Sequence, residues 1–329
     1  MKVLITGGTG FIGARLALKC LEQGDTVKVL GQVNNTAEDE NRALIEAHGG
    51  EVIIGSVTDQ EAVRKTINGV AVVYHLAAAQ HEANVPDQHF WDVNVQGTKN
   101  LLEASVEAGV KRFVHGSTIG VYGSALEGEI DENTPLSPDN IYGVTKSEGE
   151  KLALSYGDKL PVTVVRISET YGPGDRRLLK LFKTIDKKVF FMIGKGENKH
   201  QLIYVDDLVE GIRLAGSSEQ TAGQIFVLAG EEVLTTNQMV ESIAKALGVR
   251  QRRLRAPLWP FLAAAMVLEK SLRPLGIQPP LHRRRMDFFI KSFFFSRDRA
   301  RNILRFKPKT NFQDGVQETA KWYSEHGYL

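Results

Sequence analysis

The sequence predicts an α/β fold: a doubly wound parallel sheet with helices on both faces, followed by a smaller, mostly helical C-terminal lobe. Three observations predict it. Short β-branched runs alternate with amphipathic segments through the first half of the chain. A glycine-rich string separates the first run from the first helical segment. From about Glu231 the pattern turns helical, broken by Pro257, Pro260, Pro274, Pro279 and Pro280. Strands that alternate with helices pair in parallel, because a parallel return needs a crossover.

The elements follow in order. Strands are expected at 3–6, 26–30, 51–54, 70–76, 112–117 and 162–167, and helices at 11–23, 37–48, 93–108 and 142–156. The pattern loosens after Tyr171, where Gly172, Pro173 and Gly174 punctuate it. Two later strands, at 203–206 and 224–228, bring the chain back to the sheet. The expected division is therefore discontinuous. Residues 1–171 plus about 201–230 form a nucleotide-binding unit, and about 172–200 plus 231–329 form a lobe over the carboxyl edge. Ligands of such sheets bind at that edge.

Bulk properties exclude some functions. The chain has 329 residues, 42% hydrophobic and 24% charged, as in ordinary soluble domains. Its 41 Lys and Arg nearly balance 39 Asp and Glu. A dedicated nucleic-acid binder would carry a larger basic excess. The one cysteine, Cys20, falls in the first helix and reads as a buried thiol. No Cys/His cluster has metal-ligand spacing, so no metal is expected. The N-terminus lacks a secretory pattern, and the apolar stretch 257–268 is too short to span a bilayer. A cytoplasmic protein is the expectation.

Residues 6–13 read Thr-Gly-Gly-Thr-Gly-Phe-Ile-Gly. Gly7 permits a tight turn, Gly10 lets the backbone approach a pyrophosphate, and Gly13 lets the helix pack on the sheet. The helix N-terminus then offers N–H groups and a positive dipole end to phosphate. A glycine string alone is weak; between a strand and a helix it predicts dinucleotide binding. An acid at the end of the second strand would select NAD, and an Arg there NADP. Gly31 and Gln32 make neither choice. Asn34 and Asn35 suit either ribose, and Arg42 reads as solvated helix surface. The absence of an Arg at the strand end favours NAD.

Tyr142-Gly-Val-Thr-Lys146 places two side chains four apart on one helix face. A free phenol has a pKa near ~10, and a neighbouring ammonium lowers it. Tyr142 is thereby a candidate proton acceptor and donor. Ser117 and Thr118 end the fifth strand, where a hydroxyl could hold a substrate oxygen. His75-Leu76-Ala77-Ala78 ends the fourth, with small side chains that admit a flat ring. Asn94 begins a helical stretch below the same edge; a simple helix cap is the competing reading.

Together these segments resemble the extended short-chain dehydrogenase/reductases, the NAD-dependent epimerase/dehydratase superfamily. The matching pieces are TGGTGFIG at 6–13, HLAA at 75–78, NVQGT at 94–98 and GSTIGVYG at 116–123. YGVTK at 142–146, YGPG at 171–174 and YVDDLVEGI at 204–212 complete the set. The resemblance implies a Rossmann fold, a bound NAD or NADP, a homodimer, and catalytic Thr118, Tyr142 and Lys146. It implies cofactor contacts along the glycine loop at Gly7, Gly10, Phe11, Ile12 and Gly13, and at Gln32, Ser56 and Val57. Further contacts are implied at Leu76, Ala77, Ala78, Asn94, Ser117, Tyr142 and Lys146.

Three departures bear on the substrate. Glu169 stands where nucleotide-sugar enzymes carry an Asn near the diphosphate, and an acid there repels it. His200 stands where they carry an Arg. Ser56 replaces an acid near the adenine. The apolar stretches 257–268, 287–290 and 293–295 look like the 3β-hydroxysteroid dehydrogenase and dihydroflavonol reductase-like branch, with lipophilic substrates. Core packing or a dimer contact explains such stretches equally well. Against the lipophilic reading stands the basic run 282–285, with Arg284 and Arg285 as candidate phosphate ligands. The expected function is hydride transfer at a secondary alcohol or ketone, with a lipophilic substrate favoured. The alternatives are a nucleotide-sugar epimerase or dehydratase, and a non-catalytic dinucleotide sensor. The Tyr/Lys pair argues against the sensor.

Overall fold

The computed structural model describes residues 1–80, 85–123, 128–250, 254–272 and 283–329; the side chains of residues 283–285 and 287 lie outside that description. Seven parallel strands form the central sheet. They are β1 (Lys2–Thr6), β2 (Thr26–Gly31), β3 (Glu51–Ile54), β4 (Val72–His75), β5 (Arg112–Thr118), β6 (Val162–Ile167) and β7 (Ile225–Leu228). Their spatial order is 3-2-1-4-5-6-7. The order reverses between β1 and β4, which pair from Val3 with Val72 to Thr6 with His75. The loops leaving these two strands run apart and open a crevice at the carboxyl edge. This is a Rossmann fold.

The central strands read as continuous apolar runs because both faces are covered. On one face, α1 (Phe11–Glu22), α2 (Thr36–Ala47) and α7 (Val205–Ser217) bury Leu16, Ala17, Cys20, Ile45, Leu208 and Ile212 against β1, β2 and β4. On the other, α3 (Gln60–Ile67), α4 (Gly97–Glu107) and α5 (Ile141–Leu154) bury Val63, Ile67, Leu101, Leu102 and Ala153. A third cluster joins α6 (Leu179–Asp186), α8 (Thr236–Ala246) and α11 (Phe312–Glu325) through Phe182, Ile185, Met239, Ile243, Val316 and Tyr323. A capping box opens α8: the Thr235 hydroxyl accepts from the Gln238 amide, and the Gln238 side chain accepts from the Thr235 amide. The remaining labelled helices are α9 (Leu258–Leu272) and α10 (Arg283–Ile290).

Several local expectations change. The helix expected at 93–108 starts earlier, as Asp87–Trp91, and passes through a π-helical turn at Asp92–Gln96 into α4. The strand expected at 203–206 is only Ile203–Tyr204; it pairs with Thr170–Tyr171 outside the main sheet. Val205 already begins α7, whose first turn carries Asp206 and Asp207, acids favoured at a helix N-terminus. Helices α3 and α6 have no counterpart in the sequence reading. Both are only eight residues long, and so short a segment carries little periodic signal.

Candidate active site

The glycine loop leaves β1 at the switch point. Gly7 has φ +68°, and a Cβ there would lie 2.8 Å from the Ala77 backbone. A Cβ on Gly13 would lie 2.2 Å from the Gly7 carbonyl oxygen. Any side chain at either position would therefore force the loop, α1 and the β4 loop apart. Helix α1 begins at Gly10 with no side-chain cap and no acid in its first turn. Its terminal N–H groups are left for an external acceptor. Thr9 steadies the loop: its hydroxyl donates to the Gln32 carbonyl at 2.7 Å, and its carbonyl accepts from the Asn41 amide at 2.8 Å. These residues fit the pyrophosphate of a dinucleotide.

His75 locks the opposite wall. The Thr98 hydroxyl donates to the Asn94 carbonyl at 2.7 Å, so it accepts from His75 Nε2–H at 2.9 Å. His75 Nδ1 then accepts from the Thr6 hydroxyl at 2.8 Å. Burial, together with the nearby Lys146 charge, pushes the His75 pKa well down and keeps the ring neutral. Asn94 is not a helix cap. It lies fully buried in the π-helical turn, where its side chain accepts from the Ala79 amide (2.9 Å) and donates to the Ala79 carbonyl (3.2 Å). It also donates to the Thr145 hydroxyl at 3.0 Å.

The two hydroxyls at the end of β5 take different partners, although both residues line the cleft. Ser117 donates to Glu150 at 2.9 Å, and Glu150 forms a buried ion pair with Arg166. Thr118 turns to the cleft and caps a short helix, accepting from the Gly120 amide at 3.1 Å. Tyr142 and Lys146 line the same cleft from α5, which Asn140 caps. Lys146 is almost wholly buried and makes no side-chain hydrogen bond or ion pair among the described residues. Desolvation lowers its pKa from 10.5 to about 8, opposed by the Glu150 charge.

One cleft of about 1440 Å³ collects these groups. That exceeds the ~300–1,000 Å³ of an ordinary small-ligand pocket and leaves room for two ligands side by side. Gln32, Ser56, Val57, Leu76, Ala77 and Ala78 line it with the glycine loop. Asn94 does not; it acts behind the wall. Glu169 lines the cleft, but His200 lies behind Glu169 at 3.5 Å, buried, and hydrogen-bonded to Thr236 and Asn198. Burial raises the Glu169 pKa, and the His200 contact with the Arg177 charge outweighs it, holding the carboxyl below its usual value. Arg42, read as solvated helix surface, is partly exposed and paired with Asp39 at 2.8 Å. Arg284 and Arg285 fall on α10, and their side chains lie outside the described residues.

Sequence reasoning missed two cations. Arg176 and Arg177 line the cleft from the loop after Tyr171. Arg177 bonds Asp175 at 3.3 Å and also the Thr170 carbonyl. Arg176 donates to the Tyr328 hydroxyl at 2.6 Å. A Cβ on Gly174 would touch the Phe11 ring at 3.3 Å, so this loop crosses the first turn of α1. The signal was the Arg pair directly after Gly-Pro-Gly-Asp, a turn that hands its next residues to the sheet edge.

The NAD dependent epimerase/dehydratase family model matches residues 3–229. The chain belongs to that family. A dTDP-glucose 4,6-dehydratase of Streptomyces niveus is 30% identical over 99% of this chain and 94% of its own length. A 3β-hydroxysteroid-dehydrogenase/decarboxylase of Arabidopsis thaliana is 26% identical over 98% of this chain and 62% of its own length. The dTDP-glucose 4,6-dehydratase of Streptomyces venezuelae, solved with NAD, superposes with a TM-score of 0.78 at 27% identity, covering 100% of this chain and 99% of that one. As a member of this epimerase/dehydratase family, the chain is an NAD-dependent oxidoreductase in its broad class. No described helix is long and apolar enough to cross a membrane.

Proposed function

We propose that this family member acts on a nucleotide-linked sugar, oxidising a secondary alcohol and reducing it again, as in epimerisation. The nicotinamide, when bound, supplies the hydride acceptor and donor. Thr118 orients the sugar hydroxyl. Tyr142 takes its proton during oxidation and returns one during reduction, and the Lys146 ammonium stabilises the phenolate between those steps. Gly7, Gly10, Gly13 and the segment 76–78 hold the dinucleotide, while Ser117 and Asn94 position the groups beside it.

The observation that carries this reading is Arg176 and Arg177 in the same cleft as Thr118, Tyr142 and Lys146. They supply positive charge for a substrate diphosphate and offset Glu169, whose charge alone would repel one. The lipophilic substrate has less support. Much of the apolar stretch 257–268 faces solvent, with Trp259 73% and Val267 63% exposed, and none of it lines the cleft. Epimerisation and dehydration share this oxidation step, and the products distinguish them.

The division into a nucleotide-binding unit (1–171 plus about 201–230) and a substrate lobe (172–200 plus 231–329) is part of this proposal. The test is incubation of the NAD-loaded protein with UDP- and dTDP-sugars, followed by NMR of the products. An inverted sugar with no net NADH supports the reading. A deoxy keto sugar indicates dehydration. NADH accumulating with a 3β-hydroxysteroid, and no sugar conversion, overturns it.

A further inference from the structure

Helix α9 is apolar around most of its circumference, yet only Ala265 is fully buried. Trp259, Ala263, Met266, Val267 and Lys270 follow helical spacing and share one stripe. On that stripe Trp259 is 73%, Met266 44% and Val267 63% exposed. The one acid of the helix, Glu269, lies off it. The opposite face of the helix packs on the neighbouring segment: Phe261 and Leu262 join Ala265 against Ile193, and the Phe191 ring meets Phe261 at 5.8 Å. The stripe itself is therefore left to solvent.

The stretch of sequence around this helix is basic. Residues 250–291 contain ten Lys and Arg against two Asp and Glu, in a chain whose total net charge is only +2. The rest of the molecule is therefore net acidic. Among the described residues, Lys270 is exposed on the stripe and Arg255 is exposed just before the helix. An exposed apolar stripe in a basic stretch of chain is matched by the anionic surface of a bilayer, which offers acyl chains below phosphates. At 15 residues α9 is too short to span a bilayer of ~30 Å hydrocarbon, so it lies in the interface.

We propose that α9 docks this protein on a membrane surface carrying anionic lipid. Trp259, Met266 and Val267 enter the acyl boundary, and Lys270 and Arg255 face the headgroups. The surface is separate from the cleft and does not depend on which substrate the cleft takes.

Vesicle flotation tests this, with phosphatidylcholine alone and with added phosphatidylglycerol, using the full chain. Wild type is expected to float with the anionic vesicles and to lose that association in high salt. In Trp259→Asp/Val267→Asp the bound fraction should fall by about tenfold or more, with NAD binding retained as the check on folding. A gentler variant covers the case in which that pair fails to fold. Tryptophan emission of wild type should shift to the blue on anionic vesicles, and Trp259→Phe should lose the shift while still floating. Wild type that stays unbound to both vesicles overturns the proposal. So does equal binding to neutral and anionic vesicles, which removes the charge argument. A wild-type dimer that Trp259→Asp/Val267→Asp converts to monomer, without vesicle binding, assigns the stripe to a second copy instead.

Discussion

Ser117 donates its hydroxyl to Glu150 at 2.9 Å, which commits one of two adjacent cleft-lining hydroxyls to a buried partner. Glu150 is also the partner of Arg166, and both are 3% exposed. Ser117 thus belongs to a buried charge network, and Thr118 is left to meet a substrate. Thr118→Ala should lower turnover by about a hundredfold through lost positioning, and Thr118→Ser should restore most of it. Ser117→Ala should instead cost about 1.5–3 kcal/mol of stability with turnover nearly unchanged. Thermal denaturation and steady-state kinetics on the three variants separate the roles; equal turnover losses at 117 and 118 would contradict the assignment.

Lys146 sets an alkaline limit. Desolvation brings its pKa down to about 8, so its positive charge is present below that pH and lost above it. The rate should therefore fall as pH rises through about 8. Lys146→Arg keeps its proton and should move the limb upward, even where its absolute rate is lower. The check is kcat/KM against pH for both proteins. A wild-type profile flat to pH 10 would remove Lys146 from the proton chemistry.

Acid stability should reflect two buried histidines. His75 and His115 are fully buried, their pKa values pushed well below 6.5 by desolvation and by the Lys146 charge. The unfolded chain binds protons at these sites below about pH 6.5 and the folded chain does not, so stability should drop as pH falls through that value. Among the described residues, neither ring nitrogen of His115 has a hydrogen-bond partner. His115→Phe should flatten the acid dependence and be neutral to stabilising by about 1 kcal/mol at pH 7. Denaturant midpoints at pH 5 and 7.5 measure this, and an unchanged difference would refute it.

Cofactor preference should follow Glu38. Its carboxylate accepts from the Asn34 amide at 2.6 Å and lines the cleft beyond β2 with Gln32 and Asn34. A 2′-phosphate there would meet a fixed negative charge, while Arg42 is held by Asp39. Glu38→Gln should narrow the NAD over NADP preference by about tenfold, a change of ~1.4 kcal/mol. Titration of both dinucleotides reads the ratio. A ratio that does not move places the selectivity elsewhere.

The local parts of this protein were legible in its sequence. All seven sheet strands, the turn after β1 and the helix bearing Tyr142 and Lys146 follow from short-range rules of periodicity, glycine placement and capping. Where those rules misled, a longer contact had won. Asn94 has the composition of a cap, but the π-helical turn buries it against Ala79 and Thr145. Residues 203–206 have the composition of a strand, but they are captured by Thr170–Tyr171 and by α7. His200 was expected in the cleft and stands behind Glu169.

The sequence by itself determined the doubly wound class, the dinucleotide loop and the Tyr142/Lys146 helix face, because each depends on residues within a few positions of one another. Only the tertiary structure decided that the Ser117 hydroxyl bonds Glu150 and leaves Thr118 to cap the turn after β5. It alone brought Arg176 and Arg177 to the cleft and left the apolar stripe of α9 in solvent. Those outcomes depend on partners dozens of residues away, such as Glu150 for Ser117 and Tyr328 for Arg176. Crossovers and packing bring such partners together, and no local pattern encodes the meeting.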